Sequence, residues 1–85
     1  MIIYTIENKI NQCVYVGKTN DLDKSLSNRL YDAIRRNRQD SLSKAIRQYG
    51  WDCFRLRVIT QDGNQELYNK YKLAYQSNSY NKSKE

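Results

Sequence analysis

The sequence predicts an α+β domain. It would hold a small three-stranded, mainly antiparallel sheet flanked by three helices, in the order β-β-α-α-β-α. Three patterns point there. Two β-rich segments near the N-terminus lie either side of a short polar stretch. Apolar residues then recur at helical spacing through the middle of the chain. A strand that alternates apolar residues with arginine follows, and after it one more helical segment. At 85 residues the chain is sized for one domain with a thin core.

Each element has its own warrant. Ile2 to Glu7 is rich in Ile, Tyr and Thr, and Cys13 to Gly17 (CVYVG) is β-rich again, so the NKINQ stretch between them reads as a hairpin loop centred on Lys9 and Ile10. Placing Tyr4 opposite Tyr15 and Ile6 opposite Cys13 sets the two tyrosines side by side on one sheet face. Lys18 to Lys24 reads as a loop. From about Ser25 to Asn37 an amphipathic helix is expected, with Leu26, Leu30, Ala33 and Ile34 inward. Asp40 or Ser41 caps a second helix that buries Leu42, Ala45, Ile46 and Tyr49 and stops at Gly50. Phe54, Leu56 and Val58 alternate with Arg55 and Arg57, giving a strand with one packed face and one positive face. Asp62-Gly63-Asn64 turns the chain into a third helix over Gln65 to about Gln76, with Leu67, Tyr71 and Ala74 inward. Residues 1–81 form the domain and 82–85 a polar tail. Trp51 is expected at the edge of the core, where large aromatics dominate small proteins.

The charge is as informative as the pattern. The net charge is +6. Between Lys24 and Arg57 stand nine basic residues against Asp32, Asp40 and Asp52, and nine minus three accounts for the whole excess. A basic middle suits a polyanion, because phosphate contacts release condensed counterions. It also suits a plain solvated surface. The absence of histidine removes histidine-based nucleases, Ser-His-Asp hydrolases and His-rich zinc sites. Two cysteines, Cys13 and Cys53, are too few for structural zinc and are expected to be reduced and largely buried. No signal peptide or membrane-length apolar run is visible, so a cytoplasmic protein is expected.

The motifs now carry a resemblance. Ile3-Tyr4, followed at hairpin distance by Tyr15-Val16-Gly17 and extended to YVGKT, resembles the paired signature of the GIY-YIG endonuclease family. LSNRLYDAI, then LSKAIRQYGWDCFRLRVI, is similar to the family's helix-helix-strand segment, and Tyr80-Asn81 to its closing YN. The glycine that precedes the first signature is Ile2 here, and the histidine or tyrosine often found one turn after the helical arginine is Ala33.

The resemblance implies a divalent-metal-dependent DNA endonuclease. Tyr4 and Tyr15 would be the signature tyrosines, one acting as general base for the attacking water, usually the first, and the other orienting water or phosphate. Read alone, both are ordinary strand formers. Arg29 would hold the non-bridging oxygens as charge builds on phosphorus. Glu66 would hold one Mg²⁺ or Mn²⁺ ion against the leaving oxygen; without the resemblance it is an exposed acid at a helix start. Gly17, Lys18 and Asn81 would position the substrate. Arg35, Arg36, Arg38, Lys44 and Arg47 would grip the backbone, with Arg35 and Arg38 aligned on one helix face. The implied products are a 5′ phosphate and a 3′ hydroxyl. A second strand cut would need a homodimer, a second visit or a targeting partner. The alternative is a degenerate domain of this fold that binds nucleic acid or protein without cutting.

Overall fold

A computed structural model of the chain describes residues 1–76 and 79–80. Strands β1 (Ile2–Asn8), β2 (Val14–Thr19) and β3 (Phe54–Thr60) form one antiparallel sheet in the order β2-β1-β3. Helices α1 (Leu22–Ile34) and α2 (Ser41–Tyr49) lie between β2 and β3 in sequence, and α3 (Gln65–Ala74) follows β3. The α+β class and the element order are those the sequence predicts.

The hairpin register differs from the expected one. Tyr4 pairs with Gly17 and Ile6 with Tyr15, two residues away from the Tyr4–Tyr15 pairing. The cause lies in the loop. Asn8 Oδ1 accepts from Ile10 N at 2.8 Å, Asn11 Oδ1 accepts from Cys13 N at 2.9 Å, and Gln12 takes φ 61°. These side-chain-closed turns stabilise a longer loop. A slip of two keeps side-chain parity, so Tyr4 and Tyr15 still share a face, with ring centroids 6.3 Å apart.

Both faces of the sheet are covered. Tyr4 and Ile6 join Ala33, Leu42 and Ile46 in one cluster under α1 and α2. Ile3, Val14 and Val16 pack with Leu67, Tyr68, Tyr71 and Tyr75 from the α3 side. β1 supplies both clusters, and its Tyr4, Ile3 and Ile6 are among the largest fully buried side chains. Trp51 stacks on Phe54 at 5.8 Å, at the core edge as expected.

Four further expectations are corrected. First, α1 begins at Leu22 because the Asp21 carboxylate accepts the Lys24 N–H at 3.1 Å, capping the helix a turn early. It ends at Ile34, leaving that side chain 61% exposed. Second, Leu56 and Val58 do not lie on a packed face. They are 39% and 42% exposed, because β3 is an edge strand that the helices leave partly uncovered. Third, Ala74 is exposed, and the inward stripe of α3 runs through Leu67, Tyr68 and Tyr71 to Tyr75 at its C-cap. Fourth, Cys13 and Cys53 are free, as expected, but only half-buried. Among the described residues no helix is long and apolar enough to cross a membrane.

Candidate nucleic-acid site

The site is built where β2, α1 and α2 meet. Arg29 projects from α1 and donates through Nη2 to the Tyr15 hydroxyl at 2.7 Å. Its carbon Cζ also lies 4.6 Å from the centroid of the Tyr15 ring. On its other side, Nη1 is 4.0 Å from the Asp40 carboxylate. Asp40 is the N-cap of α2 and accepts from Ser43 Oγ at 2.8 Å and Ser43 N at 3.3 Å. One capping carboxylate thus fixes the start of α2 and steadies the arginine of α1. Burial opposes the charge on Asp40, yet the Ser43 bonds and the nearby Arg29 and Arg38 hold its carboxyl below the ordinary range.

Tyr4 is 1% exposed, and its hydroxyl pairs with Ser25 Oγ at 3.1 Å. Gly17 lies opposite, under the Tyr4 ring. A Cβ there would stand 2.8 Å from Tyr4 Cε1 and 2.5 Å from its hydroxyl oxygen. Gly17 therefore has a packing role that does not depend on phosphate: it leaves room for the Tyr4 phenol. The Tyr15 phenol is pushed up to about 12 by burial, against the pull of Arg29. At neutral pH it is a protonated hydrogen-bond donor. Beside Arg29 opens a cleft of about 180 Å³, lined by Ser25, Asn28, Arg29, Asp32 and Arg38.

The remaining expected residues separate into those that join this cluster and those that do not. Lys18, at the end of β2, is exposed and donates to Gln65 Oε1 on α3. Glu66 does not join the cluster. It is an exposed residue in the first turn of α3. The α3 side chain on the site side is Tyr68: its phenol is pushed up by burial and by the nearby Tyr4 phenol, and pulled down by Arg29. Two residues along a helix is a turn of about 200°, so Glu66 stands on the opposite side of α3 from Tyr68. Asn81 lies outside the described residues.

The basic surface is likewise divided. Arg47 is not a free cation, since Nη1 donates to the Ala33 carbonyl at 2.8 Å and staples α2 to α1. Arg35 and Arg38 do not share a helix face, because α1 has ended before Arg38. Arg36 and Arg38 pair with Asp32 at 3.5 and 3.3 Å, and Arg38 also with Asp40 at 3.3 Å. Such exposed pairs are weak and give way readily to phosphate. Arg35 and Lys44 are exposed and make no ion pair among the described residues.

These residues do not fit the divalent ion that the resemblance implies. Among the described residues no three of the His, Cys, Asp and Glu side chains cluster as metal ligands. The two carboxylates beside Arg29 are both engaged: Asp40 by Ser43 and two arginines, and Asp32, which lines the cleft, by Arg36 and Arg38. As site residues Tyr68 and Ser25 went unread in the sequence, and Asp40 was read only as a candidate cap of α2. For Tyr68 a signal was present: it shares the α3 stripe with Lys72, four residues on. Ser25 and Asp40 act through the meeting of separate elements, which no local pattern reveals.

The comparisons with known proteins agree with the architecture. A family model described as the GIY-YIG catalytic domain matches residues 1–81. A solved catalytic domain of the intron endonuclease I-TevI, in a point mutant, superposes with a TM-score of 0.79 at 24% identity, over 95% of this chain and 93% of that one. A second, the catalytic domain of homing endonuclease I-TevI, gives 0.76 at 23% identity, over 92% of each chain. At these identities the likeness is one of fold. No curated protein is significantly similar to the chain.

Proposed function

The chain belongs to the GIY-YIG family, and from that premise we propose that it is an endonuclease domain hydrolysing phosphodiester bonds of DNA. One observation carries the proposal: the guanidinium of Arg29 is hydrogen-bonded to the Tyr15 phenol at the mouth of an open, cationic cleft. Arg29 keeps donors to spare after serving Tyr15, and a planar fork suits the oxygens of a phosphate. Tyr15, protonated at neutral pH, donates to the same group. Tyr4 in its phenolate form, its oxygen oriented by Ser25, is the proposed base that takes the proton of the attacking water, and solvent returns a proton to the 3′ oxygen as it leaves. Charge that builds on phosphorus then faces a preorganised cation. Cleavage on the 3′-oxygen side leaves a 5′ phosphate and a 3′ hydroxyl. Arg35, Arg36, Arg38 and Lys44 hold the flanking backbone without reading sequence. A single site cuts one strand, so a double break requires a homodimer, a second visit or a targeting partner.

A second reading is favoured by Tyr68, which stands on the site side of α3 while Glu66 faces away. On that reading the domain grips nucleic acid without cutting it. Plasmid nicking in Mg²⁺, in Mn²⁺ and in EDTA separates the two, with the wild type run against Arg29→Ala. Nicking abolished by Arg29→Ala supports the nuclease. Nicking that persists in that variant removes the site assignment. No nicking, with salt-sensitive binding intact, supports the second reading. A single-stranded RNA arm decides whether the substrate is DNA alone.

A further inference from the structure

The α3 side of the site holds cations where an acid was expected. Lys18 Nζ lies 4.8 Å from the centroid of the Tyr68 ring, and Lys72 Nζ lies 5.2 Å from the same centroid. Lys18 comes from β2 and Lys72 from α3, so two separate elements bring their ammonium groups to one phenol. Tyr68 and Lys72 are four residues apart and share a helix face. Gln65 fixes the arrangement: its Oε1 accepts from Lys18, and its Nε2 donates to Asn69 Oδ1 at 3.0 Å. Neither lysine forms an ion pair among the described residues. The Tyr68 phenol lies within electrostatic reach of Tyr4 and Arg29, outside the residues that line the cleft itself.

Two ammonium groups and a guanidinium around a cluster of phenols repel a divalent cation. They attract a phosphate. We infer that Lys18 and Lys72, held over the Tyr68 ring, form an anion subsite that takes a nucleic-acid phosphate next to the one at Arg29 and does so without a divalent metal. The lysines supply the positive charge that a bound ion would otherwise bring, and Tyr68 restrains both side chains through cation–π contact. This deepens the proposed function and rests on its claim that Arg29 receives a phosphate.

The test measures binding of a short duplex DNA by fluorescence anisotropy, in EDTA and in Mg²⁺, over a range of salt. The proteins are the wild type, Arg29→Ala and the double variant Lys18→Gln/Lys72→Gln, each checked for thermal unfolding. The wild type is expected to bind in EDTA, with Mg²⁺ weakening binding by competition. Losing the one phosphate that the two lysines share should flatten the slope of log affinity against log salt by about 1 and weaken binding roughly tenfold. Lys18→Arg/Lys72→Arg should restore both. Manganese EPR should show the free-ion signal undiminished when protein is added.

Wild-type binding that requires Mg²⁺, or a Mn²⁺ signal quenched by stoichiometric protein, overturns the inference, and both readings need only the wild type. So does an unchanged slope in a folded double Gln variant. If Arg29→Ala weakens binding while the double variant does not, the subsite fails and the proposed function stands. If the wild type binds no DNA in either condition, the proposed function fails as well.

Discussion

Gly17→Ala tests the packing of the site most directly. The new methyl would stand 2.5 Å from the Tyr4 hydroxyl oxygen and 2.8 Å from Cε1, well inside contact distance. The phenol has little room to retreat, being 1% exposed and tied to Ser25. Overpacking of this kind costs about 1–3 kcal/mol. Replacing a strand glycine by alanine returns about 0.5–1 kcal/mol of backbone entropy, so a net loss of roughly 1–2 kcal/mol is expected. For a domain of this size that lowers Tm by about 4–16 °C. The informative experiment is a cycle followed by urea denaturation and circular dichroism. In a Tyr4→Leu background the phenol is gone, and the same change at Gly17 should cost almost nothing or stabilise slightly. The coupling between the two sites should then reach about 1–2 kcal/mol. An equal penalty in both backgrounds, or none in the wild type, would refute the contact as the reason for glycine.

Other outcomes follow from the same geometry. Ultraviolet titration should find one phenol ionising near pH 12, assigned to Tyr15 by its loss in Tyr15→Phe. Because this value is raised on folding, its stabilisation is complete below the ordinary tyrosine value of 10.0 and disappears as pH climbs from there to about 12. Asp40→Ala should cost about 0.5–2 kcal/mol by uncapping α2, whereas Asp40→Asn retains a cap. The wild-type carboxyl is held low, so its contribution is present above the ordinary 3.8 and is lost as pH falls through the folded value. Asp40→Asn should therefore flatten the acid limb of the stability profile. Arg47→Ala should lose about 1.5–3 kcal/mol with its charged hydrogen bond to the Ala33 carbonyl. The salt dependence of DNA binding should not move in that variant, because Arg47 is a staple.

Periodicity and turn chemistry carried most of the fold. Leu42, Ala45 and Ile46 are buried as their spacing requires, Gly50 ends α2 at φ 85°, and the shared face of Tyr4 and Tyr15 survived a register slip of two. What local pattern could not supply was side-chain competition across elements. Asp21 and Asp40 set helix starts through bonds to residues three positions on, and a sequence shows several acceptors for each such role. The exposure of Leu56 depends on how far two distant helices extend over a strand. The site divides in the same way. Arg29 and Tyr15 meet, as the motif order implied, whereas helix phase sets Glu66 on the other side of α3 from Tyr68. A residue can match in order along the chain and still sit half a turn away from where it is needed.

The open side of β3 has a consequence for behaviour in concentrated solution. Along Phe54–Thr60 one row of backbone donors and acceptors has no neighbouring strand among the described residues, and Leu56 and Val58 add apolar area beside it. Such an edge recruits a second copy unless something keeps copies apart. Arg55 and Arg57 are placed to do that, since two molecules zipping edge to edge would bring four guanidinium groups close together. That protection is purely coulombic and fades as the Debye length shrinks. The same salt that detaches a polyanion would therefore remove the barrier to self-association, so that solubility and ligand release pull in opposite directions.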